Sequence, residues 1–293
     1  MPTVIERIRP WLAQIPIERF RNPPPAVAVI RLAGPIGQIG ALRTGLSLAR
    51  LAGVIERAFG IMDLKAVALA INSPGGSAVQ SALIAKRIRD LATEKNVPVY
   101  AFVEDVAASG GYWLACAADE IYANANSIVG SIGVISASFG LNDLIHRIGV
   151  QRRVYTAGEK KMMLDPFQPE DPEDVERLQA LQREIHRNFQ DWVRERRGVR
   201  LRGLDGDLFS GEFWTGTRAT ELGLIDGVDD LRAHMRRRYG ENVKLRLISA
   251  PAPWLRRWLG PRTGLPQDLL PESWADDLLG AIEARALWGR YGL

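Results

Sequence analysis

Short apolar runs alternate with segments of helical periodicity over the first half of the chain. Three runs are continuous and rich in Val, Ile and Ala, which is typical of buried strands: residues 26–33, 65–71 and 97–103. Apolar residues at helical spacing occupy residues 46–59 and continue from the turn after the second run to about residue 94. This order of strands and helices predicts βαβ units, a parallel sheet and right-handed crossovers.

The second half of the chain predicts further elements of both kinds. Strands are expected at residues 120–123, 127–134 and 151–156, and helices at residues 138–148, 172–197, 217–222 and 227–239. The longest helix has a strong start, because Asp171 suits the N-cap, Pro172 suits the first turn, and acidic residues follow. It should end at Gly198.

Two polar turns follow strands of the predicted sheet. Asn72–Ser77 contains Pro-Gly-Gly, and Ala107–Gly111 contains Ser109 among small residues. Because the carboxyl ends of parallel strands meet at one edge, where ligands bind, we expect these turns to be neighbours. Ser109 precedes an apolar helix whose first N–H groups point at whatever approaches, which favours a nucleophile. The same position also suits an N-cap serine.

Composition and charge are ordinary for a globular protein. The 293 residues are 46% hydrophobic and 25% charged, with a net charge of +4. The arginine clusters carry no interleaved aromatic residues, so no nucleic-acid partner is expected. No apolar run reaches the roughly 18 residues of a membrane span, and Pro10 and Pro16 interrupt the start of the chain, which argues against a signal peptide. We therefore expect a cytoplasmic protein, with peripheral contact to the inner membrane through its termini as an option.

The chain divides into three regions by composition. Residues 1–25 form a basic, amphipathic extension that ends in a proline linker, residues 26–240 form the main domain, and residues 241–293 contain a strand and a Trp- and Arg-rich tail. Within the tail, Ser273–Trp288 is amphipathic. It is expected either to pack on a neighbouring subunit or a membrane, or to dock on its own core, without a role in the chemistry.

The scarcity of cysteine and histidine limits the chemistry. A single cysteine, Cys116, excludes an internal disulfide and a multi-cysteine zinc site, and the three histidines lack the spacing of metal ligands. We expect no metal and no cofactor. A serine nucleophile would then need a base other than histidine, and lysine is the common choice.

A lysine serves as a base only when it is neutral, and apolar surroundings lower the pKa of its amine from about 10.4. Lys161 directly precedes Met162–Leu164, which could supply such surroundings. Lys160 competes for this role, and both also suit exposed turn positions. Ser131 could hold the neutral amine by a hydrogen bond, although it also suits the end of a strand.

The oxyanion of a tetrahedral intermediate needs N–H donors. The backbone of Gly75 and Gly76 can approach a substrate closely, and the amide of Gly110 follows the nucleophile. Alone, Pro-Gly-Gly is only a tight turn. Facing Ser109, it becomes a candidate oxyanion hole.

Four motifs together resemble the signal peptide peptidase A (SppA/SohB-type) serine endopeptidases of the wider Clp-protease/crotonase fold. They are Asn72-Ser-Pro-Gly-Gly, Asp105-Val-Ala-Ala-Ser-Gly-Gly-Tyr, Gly130-Ser-Ile-Gly-Val and Gly158-Glu-Lys-Lys. The resemblance covers residues 26–240. It implies an α/β, Clp/crotonase-like fold of repeated ββα units in a spiral, with flanking helices.

The resemblance also implies a function. Ser109 matches the nucleophile of a Ser/Lys dyad, Lys161 its general base and Ser131 the serine that orients the lysine, with Gly76 and Gly110 near the oxyanion donors. Such enzymes cleave signal-peptide-like, membrane-derived or unfolded peptides, and assemble as rings or domes in which subunits can share active sites. Two alternatives are a crotonase-like enzyme acting on acyl-CoA and a catalytically silent peptide-binding scaffold.

Overall fold

The computed structural model describes residues 24–39, 43–158, 160–249 and 285–292. The strands are β1 (Ala26–Ala33), β2 (Gln38–Ile39), β3 (Arg43–Thr44), β4 (Leu64–Ser73), β5 (Val99–Ala108), β6 (Glu120–Ala123), β7 (Ile128–Gly130), β8 (Phe213–Thr215), β9 (Gly227–Val228) and β10 (Lys244–Leu247). The helices are α1 (Leu48–Phe59), α2 (Ala78–Lys95), α3 (Gly110–Ala115), α4 (Asn142–Arg147), α5 (Pro172–Arg197), α6 (Asp205–Leu208), α7 (Gly216–Glu221) and α8 (Leu231–Tyr239). A 3-10 turn, Gly198–Arg200, follows α5, and residues 285–289 are also helical.

Eight of the described strands form one sheet, whose main path is β10-β1-β4-β5-β6-β9 with every neighbouring pair parallel. Strand β5 is long enough to have two successive partners on the side away from β4. Its first half pairs with β6, and its second half, Val106–Ala108, pairs with β7. Strand β8 then pairs antiparallel with β7. The end of β5 therefore lies between β4 and β7.

Both faces of the central strands are covered, which explains why they read as continuous apolar runs. The larger core lies between one face and helices α1, α2, α3 and α5. On the opposite face, side chains of β1, β4 and β5 pack against Met235 of α8. Every residue of α3 is buried, so the segment that follows Ser109 is anchored in the core.

The predicted α/β class is confirmed, but several predicted elements change. The helix expected at residues 138–148 covers only Asn142–Arg147. The strand expected at residues 151–156 is wrong, because this segment is exposed and has no ladder partner within the described residues. The strand expected at 127–134 stops at Gly130, because Ser131 has a left-handed φ of 54°. The last long helix begins at Leu231 rather than at Gly227, because Asp230 caps it by accepting from the amide of Ala233.

The ends of the chain are described only in part. Residues 1–23, 250–284 and 293 lie outside the described residues, and so does most of the amphipathic segment Ser273–Trp288. The strand expected after residue 240 is β10, which pairs with β1. The three-region division itself stays a prediction. None of the helices in the described ranges combines the length and the apolar character that a membrane crossing requires.

Candidate active site

Ser109 occupies the sharp turn between β5 and α3. Its φ and ψ are 51° and −121°, a combination that non-glycine residues rarely adopt. The surrounding backbone maintains it, because the Ser109 amide donates to the carbonyl of Gly130 (2.8 Å) and the Ser109 carbonyl accepts from the amide of Tyr112 (2.9 Å). The Ser109 side chain does not cap the helix. Its hydroxyl is therefore available for a reaction.

The Pro-Gly-Gly turn lies directly against Ser109, as the sequence predicts. Ser73 in β4 pairs with Ala107 in β5, which aligns the ends of the two strands. A Cβ atom added to Gly75, whose φ is 101°, would lie 2.8 Å from the Cβ of Ser109 and 2.9 Å from the nitrogen of Gly110. Only glycine allows the two turns to approach this closely.

Side chains outside the turns hold them together. The amide nitrogen Nδ2 of Asn72 donates to Asp105 (2.6 Å), and the backbone amide of Val106 donates to Oδ1 of Asn72 (3.3 Å). These bonds join the last residues of β4 to the last residues of β5. The motif residues Asn72 and Asp105 therefore have a structural role next to the turn.

The three predicted oxyanion donors differ in availability. The amide of Gly75 donates to Oγ of Ser73 (3.2 Å), so it is already occupied. Ile36 holds the backbone on both sides of Gly76. The amide of Ile36 donates to the carbonyl of Gly75, and the carbonyl of Ile36 accepts from the amide of Ser77. Among hydrogen bonds of the described residues, none uses the amides of Gly76 or Gly110. A Cβ on Gly110 would lie 3.4 Å from the nitrogen of Gly76, so the two free donors are close together.

Ser131 lies beside the nucleophile turn. Ser131 directly follows Gly130, whose carbonyl accepts from the amide of Ser109. Because paired strands such as β5 and β7 lie about 4.8 Å apart, the two serines are close in space. The amide of Ser131 donates to the carbonyl of Glu212 (2.6 Å). The residue is 3% exposed, and its hydroxyl accepts a hydrogen bond from the hydroxyl of Tyr291 (3.3 Å). Tyr291 is not among the residues predicted for the site, and the signal in the sequence was the aromatic residues in the Trp- and Arg-rich tail.

The two candidate lysines are far from this group within one chain. Nζ of Lys160 pairs with Glu173 at the start of α5 (3.0 Å), and Lys161 is its exposed neighbour. Further along α5, Nε2 of His186 donates to the carbonyl of Ile132, next to Ser131 (3.0 Å). Given the 1.5 Å rise per residue, Glu173 and His186 are about 20 Å apart. Ser109 and Ser131 are brought together, and Lys161 is not.

The expected apolar surroundings of Lys161 are also missing in the single chain. Lys161 belongs to the segment between β7 and α5, residues 133–171, and we call this segment the arm. Of the described residues of the arm, only Ile145 is buried. The apolar residues Met162–Leu164 are half-buried and do not cover the amine, because the arm has no second layer of structure on this side.

The metal-binding and thiol groups of the described residues lie outside the arrangement around Ser109. No cluster of three or more His, Cys, Asp or Glu side chains among the described residues is arranged to bind a metal. Cys116 is a buried free thiol in the core behind α3, and burial raises its pKa to about 12. The site consists of a serine, a second serine and glycine amides.

The model for peptidase family S49 matches residues 92–244. The chain belongs to peptidase family S49. The matched range contains Ser109, Ser131 and Lys161, whereas the Gly75–Gly76 turn precedes it. Membership confirms the expected family, and the eight-stranded sheet with its flanking helices confirms the expected α/β class.

Two curated proteins are similar to this chain. Serine protease SPPA of the Arabidopsis thaliana chloroplast is 34% identical over 210 residues, which cover 70% of this chain and 31% of that protein. A Brucella abortus protein named Na+/H+ antiporter NhaA is 52% identical over 299 residues, which cover all of this chain and 39% of that protein. The S49 chain thus spans well under half the length of either relative.

A solved structure is also similar. It is a mutant of a membrane-bound stomatin-specific protease, with 17% identity and a TM-score of 0.49, and the match covers 79% of this chain and all of that one.

Proposed function

We propose that this S49 protein is a serine endopeptidase in which Ser109 attacks the carbonyl of a peptide bond. The observation that carries the proposal is the contact between the two turns, next to which the amides of Gly76 and Gly110 have no partner among the hydrogen bonds of the described residues. Attack on the carbonyl creates an oxyanion, and two converging N–H donors stabilise that charge. The Gly75 amide bonds to Ser73 and is left out of this role.

The base is Lys161 of a second subunit. In the described chain, Lys160 pairs with Glu173 at the start of α5, about 20 Å along the helix from His186, which contacts Ile132 beside Ser131. Since a base must lie within hydrogen-bond reach of the proton it takes, the neighbouring Lys161 serves Ser109 from an adjacent subunit. The arm that carries Lys161 exposes large apolar side chains of a kind that interfaces bury: Ile135, Phe139, Leu144, Ile148, Val150 and Tyr155. A cavity of about 820 Å³ also lies on the arm, lined in part by Phe139, Met162 and Leu164.

Docking of the arm would supply both missing requirements at once. It would bring the amine within reach of Ser109, and it would exclude water from the amine, which favours its neutral form. Ser131, buried beside the nucleophile turn, would then hold the amine through its hydroxyl. The assembly would be a ring or dome in which each site combines two subunits.

The reaction proceeds in two proton-balanced steps. Lys161 takes the proton of the Ser109 hydroxyl while the oxygen attacks the carbonyl, and then returns a proton to the leaving amine as the acyl-enzyme forms. In the second step the lysine takes a proton from water, the hydroxide attacks the ester, and the serine oxygen regains a proton. The amides of Gly76 and Gly110 stabilise both oxyanions.

Peptides are the favoured substrates over acyl thioesters because the chain belongs to a peptidase family. Signal-peptide-like, membrane-derived or unfolded peptides stay the proposed class, and a cytoplasmic, membrane-peripheral location stays a prediction. A catalytically silent scaffold is the remaining alternative. Incubation of a peptide library with wild type and Ser109→Ala, followed by mass spectrometry, separates these functions.

Cleavage products should form with wild type and fall by about 10⁴-fold or more with Ser109→Ala. A fluorophosphonate probe should label wild type and not Ser109→Ala. Equal product formation by both proteins, or turnover of acyl-CoA without peptide cleavage, would refute the endopeptidase.

A further inference from the structure

The C-terminal segment, residues 285–292, lies on the sheet next to the nucleophile turn. Two of its aromatic side chains, Trp288 and Tyr291, pack in a small cluster with Val106 and Ala108 of β5 and Ile128 of β7. Ala108 is the residue immediately before Ser109. The patch formed by these three strand residues, which we call the β5–β7 patch, is therefore continuous with the candidate active site.

Tyr291 extends this contact to the site itself. The residue is 9% exposed, and its ring meets Phe213 edge-on with the centroids 5.2 Å apart. Its hydroxyl donates to Oγ of Ser131 at 3.3 Å. Ser131 in turn follows Gly130, whose carbonyl accepts a hydrogen bond from the amide of Ser109. One hydrogen bond thus joins the end of the chain to the hydroxyl that the lysine is proposed to use.

We propose that the β5–β7 patch together with Ser131 is a binding surface for a Trp-x-x-Tyr peptide, and that the protein's own C-terminal segment occupies it as an internal inhibitor. The inference rests on the proposed function, since it requires the amine of a second subunit to reach Ser131. Tyr291 lies against the buried Ser131 hydroxyl and donates to it, so the phenol takes the space in which the amine would reach that oxygen. The segment must leave before the site is completed.

The segment is suited to leave. Within the described residues, the hydrophobic contacts of the segment with the sheet come from Trp288 and Tyr291. Its position therefore depends on the two aromatic side chains, while Arg290 between them is exposed. Loss of these two contacts releases the segment without disturbing the large core on the other face of the sheet.

The first test measures peptidase activity of full-length variants. Trp288→Ala/Tyr291→Ala should increase kcat/KM for a peptide substrate several-fold at low protein concentration, and Tyr291→Phe should give a smaller increase. Arg290→Ala, on the same segment but exposed, should behave as wild type. A double variant that is slower than or equal to wild type, with an unchanged thermal unfolding temperature, overturns the inference.

The second test measures binding without catalysis. A fluorescent peptide of residues 285–292, Arg-Ala-Leu-Trp-Gly-Arg-Tyr-Gly, is titrated into full-length Ser109→Ala carrying the Trp288→Ala/Tyr291→Ala changes. Saturable binding, weakened by Tyr291→Phe in the peptide and by Ser131→Ala in the protein, supports the surface. Absence of binding overturns it.

The two tests separate the two proposals. Peptide binding combined with no cleavage of any library peptide by wild type would refute the endopeptidase and retain the surface. Library cleavage that requires Ser109, combined with no peptide binding and no increase in kcat/KM, would retain the endopeptidase and refute the binding surface.

Discussion

The amide of Ser109 donates to the carbonyl of Gly130 at 2.8 Å, and this bond joins the nucleophile turn to strand β7. Because Ser131 follows Gly130 with a left-handed φ of 54°, the chain turns away from the ladder at this point. The two serines are thereby fixed next to each other by backbone geometry rather than by side-chain contacts. Changes that leave this backbone intact should alter chemistry without altering stability.

Gly75→Ala should abolish peptidase activity, because its Cβ would lie 2.8 Å from the Cβ of Ser109 and displace it. Gly34 provides a matched control, since its φ is 99° and an added Cβ meets no atom within 4 Å. Both variants carry the backbone strain of a non-glycine residue at positive φ, about 1–2 kcal/mol. Urea denaturation should show a larger loss of stability for Gly75→Ala, because it adds a clash to the strain that both variants share, and kcat/KM should be lost only for Gly75→Ala. Full activity of Gly75→Ala would contradict the contact between the turns.

Ser109→Ala and Lys161→Ala should each be inactive and should regain activity when mixed and allowed to exchange subunits. A site between a Ser109→Ala subunit and a Lys161→Ala subunit can combine an intact lysine with an intact serine. Random exchange makes about a quarter of the sites complete, so about a quarter of the wild-type rate is expected.

Lys160→Ala is the control for this mixing experiment and should keep most of the activity, because Lys160 is paired with Glu173 at the protein surface. Sedimentation should show an assembly well above the 32.4 kDa monomer. If the mixed variants assemble with exchanged subunits and stay inactive, the shared site is wrong.

Asp226→Asn should lower the free energy of unfolding at pH 7 by about 3 kcal/mol, because it leaves a buried guanidinium without its partner. Nη1 of Arg197, whose side chain is 2% exposed, lies 2.7 Å from Asp226, which also accepts from the amide of Ile121. An exposed pair, Lys86 and Asp90, is the control, and Asp90→Asn should change stability by less than about 0.5 kcal/mol.

The same pair predicts a pH dependence. Burial would raise the pKa of Asp226, but the hydrogen bond and charge of Arg197 outweigh burial and hold the pKa below its usual 3.8. A lowered folded-state pKa contributes stability above the unfolded-state pKa, and this contribution is lost as the pH falls below about 4. Denaturation curves of wild type and Asp226→Asn should therefore converge on acidification. A constant difference from pH 7 to pH 3 would contradict this assignment.

Cys116 should not react with iodoacetamide in the native protein at pH 8. Burial raises the pKa of its thiol to about 12, so the reactive thiolate is scarce, and the side chain is shielded by the core. Intact-mass spectrometry should detect alkylation only after denaturation. Rapid stoichiometric labelling of the native protein would show that this part of the core opens readily.

Local patterns in the sequence were sufficient for the central strands and for the proximity of the two turns. The strands that carry Asn72 and Ser109 at their ends are continuous apolar runs, and parallel strands place their carboxyl ends at one edge. The start of α5 was also readable, because Asp171 and Pro172 act through local bonds and torsions. The sequence could not show that the Gly75 amide is used by Ser73, because that bond depends on the exact path of the turn.

The sequence alone was enough to propose Ser109 and the glycine turn as candidate chemistry, because both turns are encoded by residues that are neighbours along the chain. Only the tertiary structure decided that Lys161 lies away from Ser109 and that Tyr291 occupies Ser131. Both outcomes depend on where separate segments come to rest against the sheet. That position follows from the packing of the whole chain, and no local pattern of side chains specifies it.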